Sequence, residues 1–561
     1  MNRSAGFLDH RRLLSGPWQA FERDVARLFV ANGYDDVRIV GGTGDHGADI
    51  LAVRNGELWV TQCKHTTSSM APRSAIDEVV EAGRFYGAAH LVVATSRPAS
   101  EGLLQERSRL ERLGLKVKLF DPRSLLALMT RTPEYAPSRR SLRPYQETTS
   151  TRMREALLDT GRALAVLATG LGKTVVIAEV VADLLRDDRI REGRALVLAH
   201  TRDLVQQLHQ AFWLQLPHWV PTHQLVDGEF PSFWEGITFA TIQSVHRRRE
   251  TLPSFGLVVV DEAHHAGADT FVEALEFLAP PMLAGVTATP WRGDDYDIEQ
   301  RFGPALVRMG IAEGLQGGFL CDVDYRLLAD NVDWEVVQEL SRHRYSIGQL
   351  NRRLILPTRD EEAVRVVADL FQTKRRRGGI VFSPSIAHAR EFAALLRTYG
   401  FRADEISSED ESRQRDLKLS RFRAGEYDFM TTVDLFNEGV DLPDVDLIVF
   451  MRVTHSRRIF VQQLGRGLRL SRGKESVVVL DFVTDLRRVA EVIDLDRAVR
   501  GNDLERVGLG GRLVSFSDES AGTFLREWML DQASLLLRQD DAQIELPQFD
   551  YPRPAGQGGV Q

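Results

Sequence analysis

The sequence predicts an α/β protein of several domains, and three observations lead there. At 561 residues the chain exceeds what one hydrophobic core holds, so about three or four domains are expected. From about residue 142, short and fully apolar runs alternate with helical stretches in two successive sets. The first is ALAVLA, ALVLAH, LVVVDEA and MLAGVTA; the second is GGIVFS, YDFMTTV, VDLIVF and SVVVLDF. Strands apolar on both faces belong to parallel sheets covered by helices on either side. The first 130 residues follow a different order and end at RTPEYAPSRRSLRP, whose Pro, Ser and Arg content reads as a linker.

Taken in order, residues 19–31 place Phe21, Val25, Leu28 and Phe29 on one helical face. GGTGDHGADILAV turns into a strand, GELWVTQCKH forms a second, AIDEVVEAGRFYG is helical, and HLVVATS is a buried strand. The expected domains are 1–130, a linker over 131–141, 142–320, 321–485, and a helical tail over 486–561. The tail ends in LPQFDYPRPAGQGGVQ, which reads as frayed.

Composition bounds the function. The chain is 43% hydrophobic and 27% charged, as in an ordinary globular protein. The opening residues contain no apolar signal region, and no stretch approaches the roughly 18 apolar residues of a membrane span. Cys63 and Cys321 stand alone, which excludes a disulfide framework and a cysteine zinc site and suits a reducing cytoplasm. The net charge of −8 argues against a bulk polyanion binder but leaves room for a local groove. The basic runs Arg247–Arg249 and Lys374–Arg377 read as solvated loop charges.

ALAVLATGLGKTVV is a buried strand, a glycine-bearing turn and a helix start. Thr169, Gly170 and Gly172 shape a turn whose N–H groups can close on phosphate oxygens. Lys173 offers a point charge and Thr174 a hydroxyl for Mg²⁺. Leu167 replaces the first glycine of the general GxxxxGK[ST] pattern. LVVVDEAHHA then ends an apolar strand in Asp261 and Glu262, at the sheet edge where ligands bind. These are the acids needed to hold a nucleotide's Mg²⁺ and to orient attacking water.

In this combination the chain resembles a superfamily 2 DEAH-type helicase or translocase. LRPYQ with Gln146 resembles the adenine-contacting element, and LAHTRDLVQQ and ATIQSV resemble strand-tracking motifs. VTATPWR resembles the motif that couples hydrolysis to movement. FSPSIAHA and TTVDLFNEGVDLP fall where the second domain's motifs belong. QQLGRGLR supplies Gln462, Arg466 and Arg469, similar to the family's Q-x-x-G-R-x-x-R. The resemblance implies two RecA-like domains, ATP and Mg²⁺ as cofactors, and arginines that meet the γ-phosphate on domain closure. TATPWR and EGVDLP most resemble restriction-enzyme motor subunits and related repair helicases, which implies DNA, chiefly double-stranded, as the track.

The N-terminal segment runs FERDVARLFVANGYDDVRIVGGTGDHGAD, then QCK, LVVATSRPASEG and LFDPRSLLALM. Over residues 16–129 this resembles the Mrr-type branch of the PD-(D/E)xK nucleases. Asp49 and Gln62 are thereby implied to share a Mg²⁺. Lys64, two residues on along the strand and so on the same face, would act at the phosphate. Glu22 is an additional acid near that metal, and Asp45 reads as a turn residue. Cys63 alternates away from this face and reads as core. His264 and His265 lack a companion ligand set, and Trp234 and Trp291 read as packing.

Three functions are open at this stage: a motor coupled to a Mg²⁺-dependent DNA nuclease in restriction or phage defence, a repair or remodelling helicase whose first domain only binds DNA, and an RNA helicase. The first allows a homo-oligomer or partner defence subunits.

Overall fold

The Asn55-Gly56 step builds the first sheet. Both residues take positive φ, 54° and 80°, as a two-residue hairpin turn requires if its twist is to match the flanking strands. Strands β2 (Ile50–Arg54) and β3 (Glu57–Lys64) pair antiparallel across it, from Arg54↔Glu57 to Ile50↔Thr61. The computed structural model describes residues 6–40, 47–288, 297–328, 344–345, 360–373, 376–383, 385–410, 412–433, 445–451, 470, 474, 476–482, 514–515 and 544–545.

Preceding the hairpin are α1 (His10–Leu14), α2 (Trp18–Ala31) and β1 (Asp35–Ile39). Following it are α3 (Ser74–Tyr86), β4 (His90–Thr95), α4 (Glu101–Arg112), β5 (Val117–Phe120) and α5 (Pro122–Thr130). The sheet order is β1-β2-β3-β4-β5, antiparallel as far as β3 and parallel from there. Period-2 alternation divides β3. Trp59 and Cys63 pack with Phe21, Val25 and Phe29 of α2, whereas Val60 faces Ile76 and Val79 of α3. Helices therefore cover both faces.

The next segment comprises α6 (Pro144–Asp159), β6 (Arg162–Leu167), α7 (Lys173–Arg186), β7 (Arg194–Ala199), α8 (Arg202–Trp213), β8 (Thr222–Leu225), β9 (Gly236–Thr241) and α9 (Ile242–Arg248). It continues with β10 (Leu257–Asp261), α10 (Asp269–Leu278), β11 (Met282–Thr287), α11 (Ile298–Phe302) and β12 (Ala305–Met309). Its seven-stranded sheet has the order β12-β6-β11-β10-β7-β9-β8. The six strands from β6 to β8 in that order run parallel. The registers Val166↔Thr287 and Asp261↔Val286 bring the carboxyl ends of β6, β10 and β11 level.

Residues 1–167 and 172–308 form one compact unit, so the N-terminal sheet and this parallel sheet are packed together. The seam is built from charged groups of α1 and α2. Arg27 is 2% exposed and donates to the Val220 carbonyl at 2.7 Å and the Pro217 carbonyl at 3.3 Å, with its guanidinium stacked over Phe7. Arg12 reaches Asp24 and the Thr222 carbonyl, and Arg23 pairs with Glu229. Trp213 of α8 enters the core formed by α2, α5 and the N-terminal sheet. The segment between the two sheets is itself fastened. Arg139 binds both carboxylate oxygens of Glu179, Arg186 reaches the Tyr135 hydroxyl, and Arg140 and Gln215 exchange hydrogen bonds.

Residues 168–171 and 309–561 form the second unit. Seven strands lie in the order Ala403–Ile406, Phe429–Thr432, Gly379–Phe382, Leu447–Phe450, Ser476–Asp481, Asp322–Leu328 and Val514–Ser515, all paired parallel. Val364, Val367, Phe392 and Leu396, from helices Asp360–Thr373 and Ile386–Thr398, pack on Val381, Phe429, Val449 and Val478. The described part of the expected helical tail is two short strands, Val514–Ser515 on this sheet and Ile544–Glu545 beside Arg344–Tyr345. The rest of the tail lies outside the described residues. The fold class is the one the sequence predicts: a mixed α/β sheet followed by two parallel sheets of the RecA kind. No described helix is long and apolar enough to cross a membrane.

Candidate active sites

At the N-terminal sheet, the ladder of β2 and β3 extends by one bond, Asp49 N–H to the Thr61 carbonyl at 2.9 Å, and this sets Asp49 beside Gln62. Asp49 Oδ2 accepts from Gln62 Nε2 at 2.7 Å and from the Cys63 amide at 2.6 Å. Both side chains are buried, and Gln62 Oε1 is buried without a hydrogen-bond partner. A buried carboxylate next to an unpartnered amide oxygen is an oxygen donor set suited to a hard divalent cation. Lys64 lies on the same face, its ammonium 2.6 Å from Glu78 of α3. Glu22 is buried near the start of α2. Burial, then the Asp49 charge and the Glu22 charge, push the Cys63 thiol well up, with Lys64 opposing. Cys63 is thus a buried core thiol held toward its protonated form. Asp45 lies outside the described residues.

At the parallel sheet, Gly172 takes φ +82° and caps α7, and a Cβ there would fall 2.4 Å from Gln146 Nε2. The positive φ favours glycine, and the close approach seats Gln146 against the start of the helix. Thr169 is buried and Gly170 takes φ 93° in the loop before it. Thr174 follows Lys173 in the first turn of α7. Lys173 Nζ lies 3.3 Å from Glu262 Oε1. Glu262 holds the left-handed conformation, φ 51° and ψ 57°, which costs about 1–3 kcal/mol in a non-glycine residue and is typical of functional positions. The His264 ring nitrogen Nδ1 lies 2.8 Å from the Thr287 hydroxyl, which donates to Glu262 Oε2 at 3.5 Å. His264 and Thr287 belong to separate sequence motifs, and the fold joins them behind the catalytic-type acid.

Asp261 is buried, with Oδ1 lacking a hydrogen-bond partner. Burial and the Glu262 charge push its carboxyl up to about 7, with Lys173 opposing. An orphaned buried carboxylate oxygen that feels the Lys173 charge fits a nucleotide-bound divalent cation. The native state binds this proton more tightly than the unfolded chain does, so the group lowers stability as pH rises from about 4 to about 7. Asp261→Asn should therefore raise the unfolding temperature of the nucleotide-free protein at pH 8, and the gain should close as pH falls toward 4. A gain that is constant across this range would show that the Asp261 proton is not responsible.

Gln462, Arg466, Arg469 and Trp291 lie outside the described residues, as does the segment 434–443. Trp234 is packing: its ring meets Phe230 and Phe255 beside the core. Arg247 pairs with Asp227 and Arg249 with Glu273, consistent with local solvated charges. Among the described residues no three His, Cys, Asp or Glu side chains cluster as a metal site. The nuclease-type donors are one carboxylate and one amide.

Fold and sites together resemble those of a superfamily 2 helicase preceded by a nuclease-type sheet. More particularly, three segments of the chain match restriction-enzyme and helicase family models. Residues 13–129 match the restriction endonuclease family of Mrr catalytic type, 139–292 the type III restriction enzyme res subunit, and 362–471 the helicase conserved C-terminal domain. The chain is 26% identical over 364 residues to the DNA 3'-5' translocase XPB2 of Sulfurisphaera tokodaii, covering 58% of this chain and 78% of that protein. It is 24% identical over 359 residues to the Type I restriction enzyme EcoAI endonuclease subunit of Escherichia coli, covering 57% and 43%. The fold is similar to that of the ATP-dependent Type ISP restriction-modification enzyme LlaBIII bound to DNA. There the TM-score is 0.53 at 16% identity, over 91% of this chain and 41% of that one. The chain spans 48%, 63% and 59% of the length of three further curated relatives.

Proposed function

We propose that the protein hydrolyses ATP to translocate on or unwind DNA, and cuts DNA at the Asp49–Gln62–Lys64 centre with Mg²⁺, in restriction of foreign DNA in the cytoplasm. The observation that supports this most is the buried Asp49–Gln62 pair with its unpartnered amide oxygen, on the same strand face as Lys64. The restriction families matched by residues 13–129 and 139–292 point the same way.

In the motor, Lys173 leaves Glu262 for the outer phosphates, and Gln146 reads the adenine. Glu262, relieved of its ion pair, orients and deprotonates the attacking water. Thr174 and Asp261 would hold the nucleotide's cation. In the nuclease, Asp49 and Gln62 Oε1 would hold a divalent ion, with Glu22 as a nearby acid. Such an ion supplies Lewis-acid polarisation of the scissile phosphate when bound. Lys64 offsets charge that builds on the phosphate oxygens.

Plasmid DNA incubated with Mg²⁺ and ATP tests this. Lys64→Ala should reduce nicking to a small residual rate and leave DNA-stimulated ATP hydrolysis at the wild-type rate. A wild-type protein that never cuts while DNA stimulates its ATPase would make the first domain a DNA-binding module. Stimulation by RNA alone would remove the DNA assignment.

A further inference from the structure

We propose that Glu78 is a positioning residue of the nuclease centre, holding the Lys64 ammonium at the edge where Asp49 and Gln62 lie; this rests on the nuclease reading above. Three observations point to it. Lys64 Nζ sits 2.6 Å from Glu78 Oε2. Within the set Asp49, Gln62 and Lys64 there is one carboxylate, and its Oδ2 is engaged by the Cys63 amide and the Gln62 amide group. The carboxylate at hydrogen-bond distance from the lysine is that of Glu78, on α3.

The backbone supplies the third observation. Gly47, two residues before Asp49, has φ +83°, and a Cβ there would fall 2.4 Å from the Glu78 carbonyl oxygen and 2.7 Å from Glu78 Cβ. The segment that delivers Asp49 is thus wedged against the same turn of α3 that supplies Glu78. One contact sets the position of the acid and of the lysine's partner together. The pair is partly exposed, at 26% and 35% of the two side chains, and ion pairs in such settings contribute little to stability. Its consequence is where Lys64 points. A long, flexible ammonium stem has many rotamers, and a single carboxylate at its tip selects those that face the centre.

The test uses the full chain in single-turnover cleavage of plasmid DNA with Mg²⁺, with DNA affinity measured separately in Ca²⁺. Glu78→Ala should slow cleavage roughly 10- to 100-fold, as expected for a catalytic group displaced by about an ångström. DNA affinity and Ca²⁺ affinity by calorimetry should match the wild type, and Glu78→Asp should recover part of the rate. In a Lys64→Ala background Glu78→Ala should add nothing. ATP hydrolysis and thermal unfolding report folding, and Glu78→Gln, which keeps the volume, takes over the comparison if the alanine variant unfolds. An undiminished rate, a further loss in the Lys64→Ala background, or an equal loss of Ca²⁺ affinity would each overturn the positioning role. If Lys64→Ala itself cuts normally, it is the nuclease reading that fails.

Discussion

Lys173→Ala is expected to lower ATP hydrolysis roughly 10²- to 10³-fold, the usual cost of removing one preorganised charge donor from a developing anion. Lys173 opens α7, is largely buried, and lies 3.3 Å from Glu262. Its ammonium is a counter-charge for two adjacent carboxylates and opposes the upward push on Asp261. Alanine removes the phosphate contact and leaves the acids facing one another, so nucleotide affinity should fall with turnover. Because α7 retains its core face through Val176, Ile177, Val180 and Val181, thermal unfolding should stay close to the wild type. Steady-state hydrolysis with and without DNA checks the first expectation, and a rate within about threefold of the wild type would remove Lys173 from the phosphate site. The same variant separates a motor that drives cleavage from one that merely delivers the nuclease. Cutting at the full rate would mean delivery.

The parallel sheets were legible because a strand buried on both faces has to be apolar throughout, and ALAVLA, ALVLAH, LVVVD and MLAGVT are. That Gln62 and Lys64 share a face was legible because a two-residue spacing on a strand is a statement about one face. Glu78 was not, since its partner is fixed by how α3 crosses the sheet rather than by any spacing in the chain. The link between His264 and Thr287 was hidden for the same reason: it is set by the register Asp261↔Val286 between neighbouring strands. The docking seam was the largest omission. Arg23, Asp24 and Arg27 fill the polar side of an amphipathic helix, and that pattern is identical whether water or a second domain covers it.

Breaking that seam is expected to uncouple the two domains of the first unit, and Arg27→Ala is the sharpest way to do so. Burial lowers the Arg27 pKa to about 9, with Asp24 opposing, so the group is charged at neutral pH. Its guanidinium satisfies the Val220 and Pro217 carbonyls and stacks on Phe7. Truncation leaves the Val220 carbonyl without that donor, while the Pro217 carbonyl keeps the Val220 N–H, and it strips a counter-charge from buried Asp24, a loss of about 3 to 5 kcal/mol for a broken buried ion group. In calorimetry the wild-type unit should melt in one transition, and the variant in two. Proteolysis should appear within 131–141, where Tyr135 and Arg139 are fastened in the wild type. The seam also predicts a pH dependence. Burial, then the neighbouring arginine charges, depresses the pKa of His209 well below the ordinary value, and burial followed by Arg12 does the same for His223. A depressed histidine pKa contributes stability above about 6.5 that is lost as pH falls below it, because the unfolded chain takes up the protons first. Acidification to pH 5 should therefore split the wild-type transition as Arg27→Ala does at pH 7.5, and Arg27→Met should split it less, since the methylene stem keeps packing on Phe7. A single cooperative transition in Arg27→Ala at both pH values would mean that the remaining seam contacts, Arg12 on the Thr222 carbonyl, Arg23 with Glu229 and Trp213 in the core, hold the domains together without Arg27. Should the transitions separate while ATP hydrolysis persists, the nuclease is a fixed extension of the first motor domain, and the spread of cut positions along a linear DNA should widen in the variant.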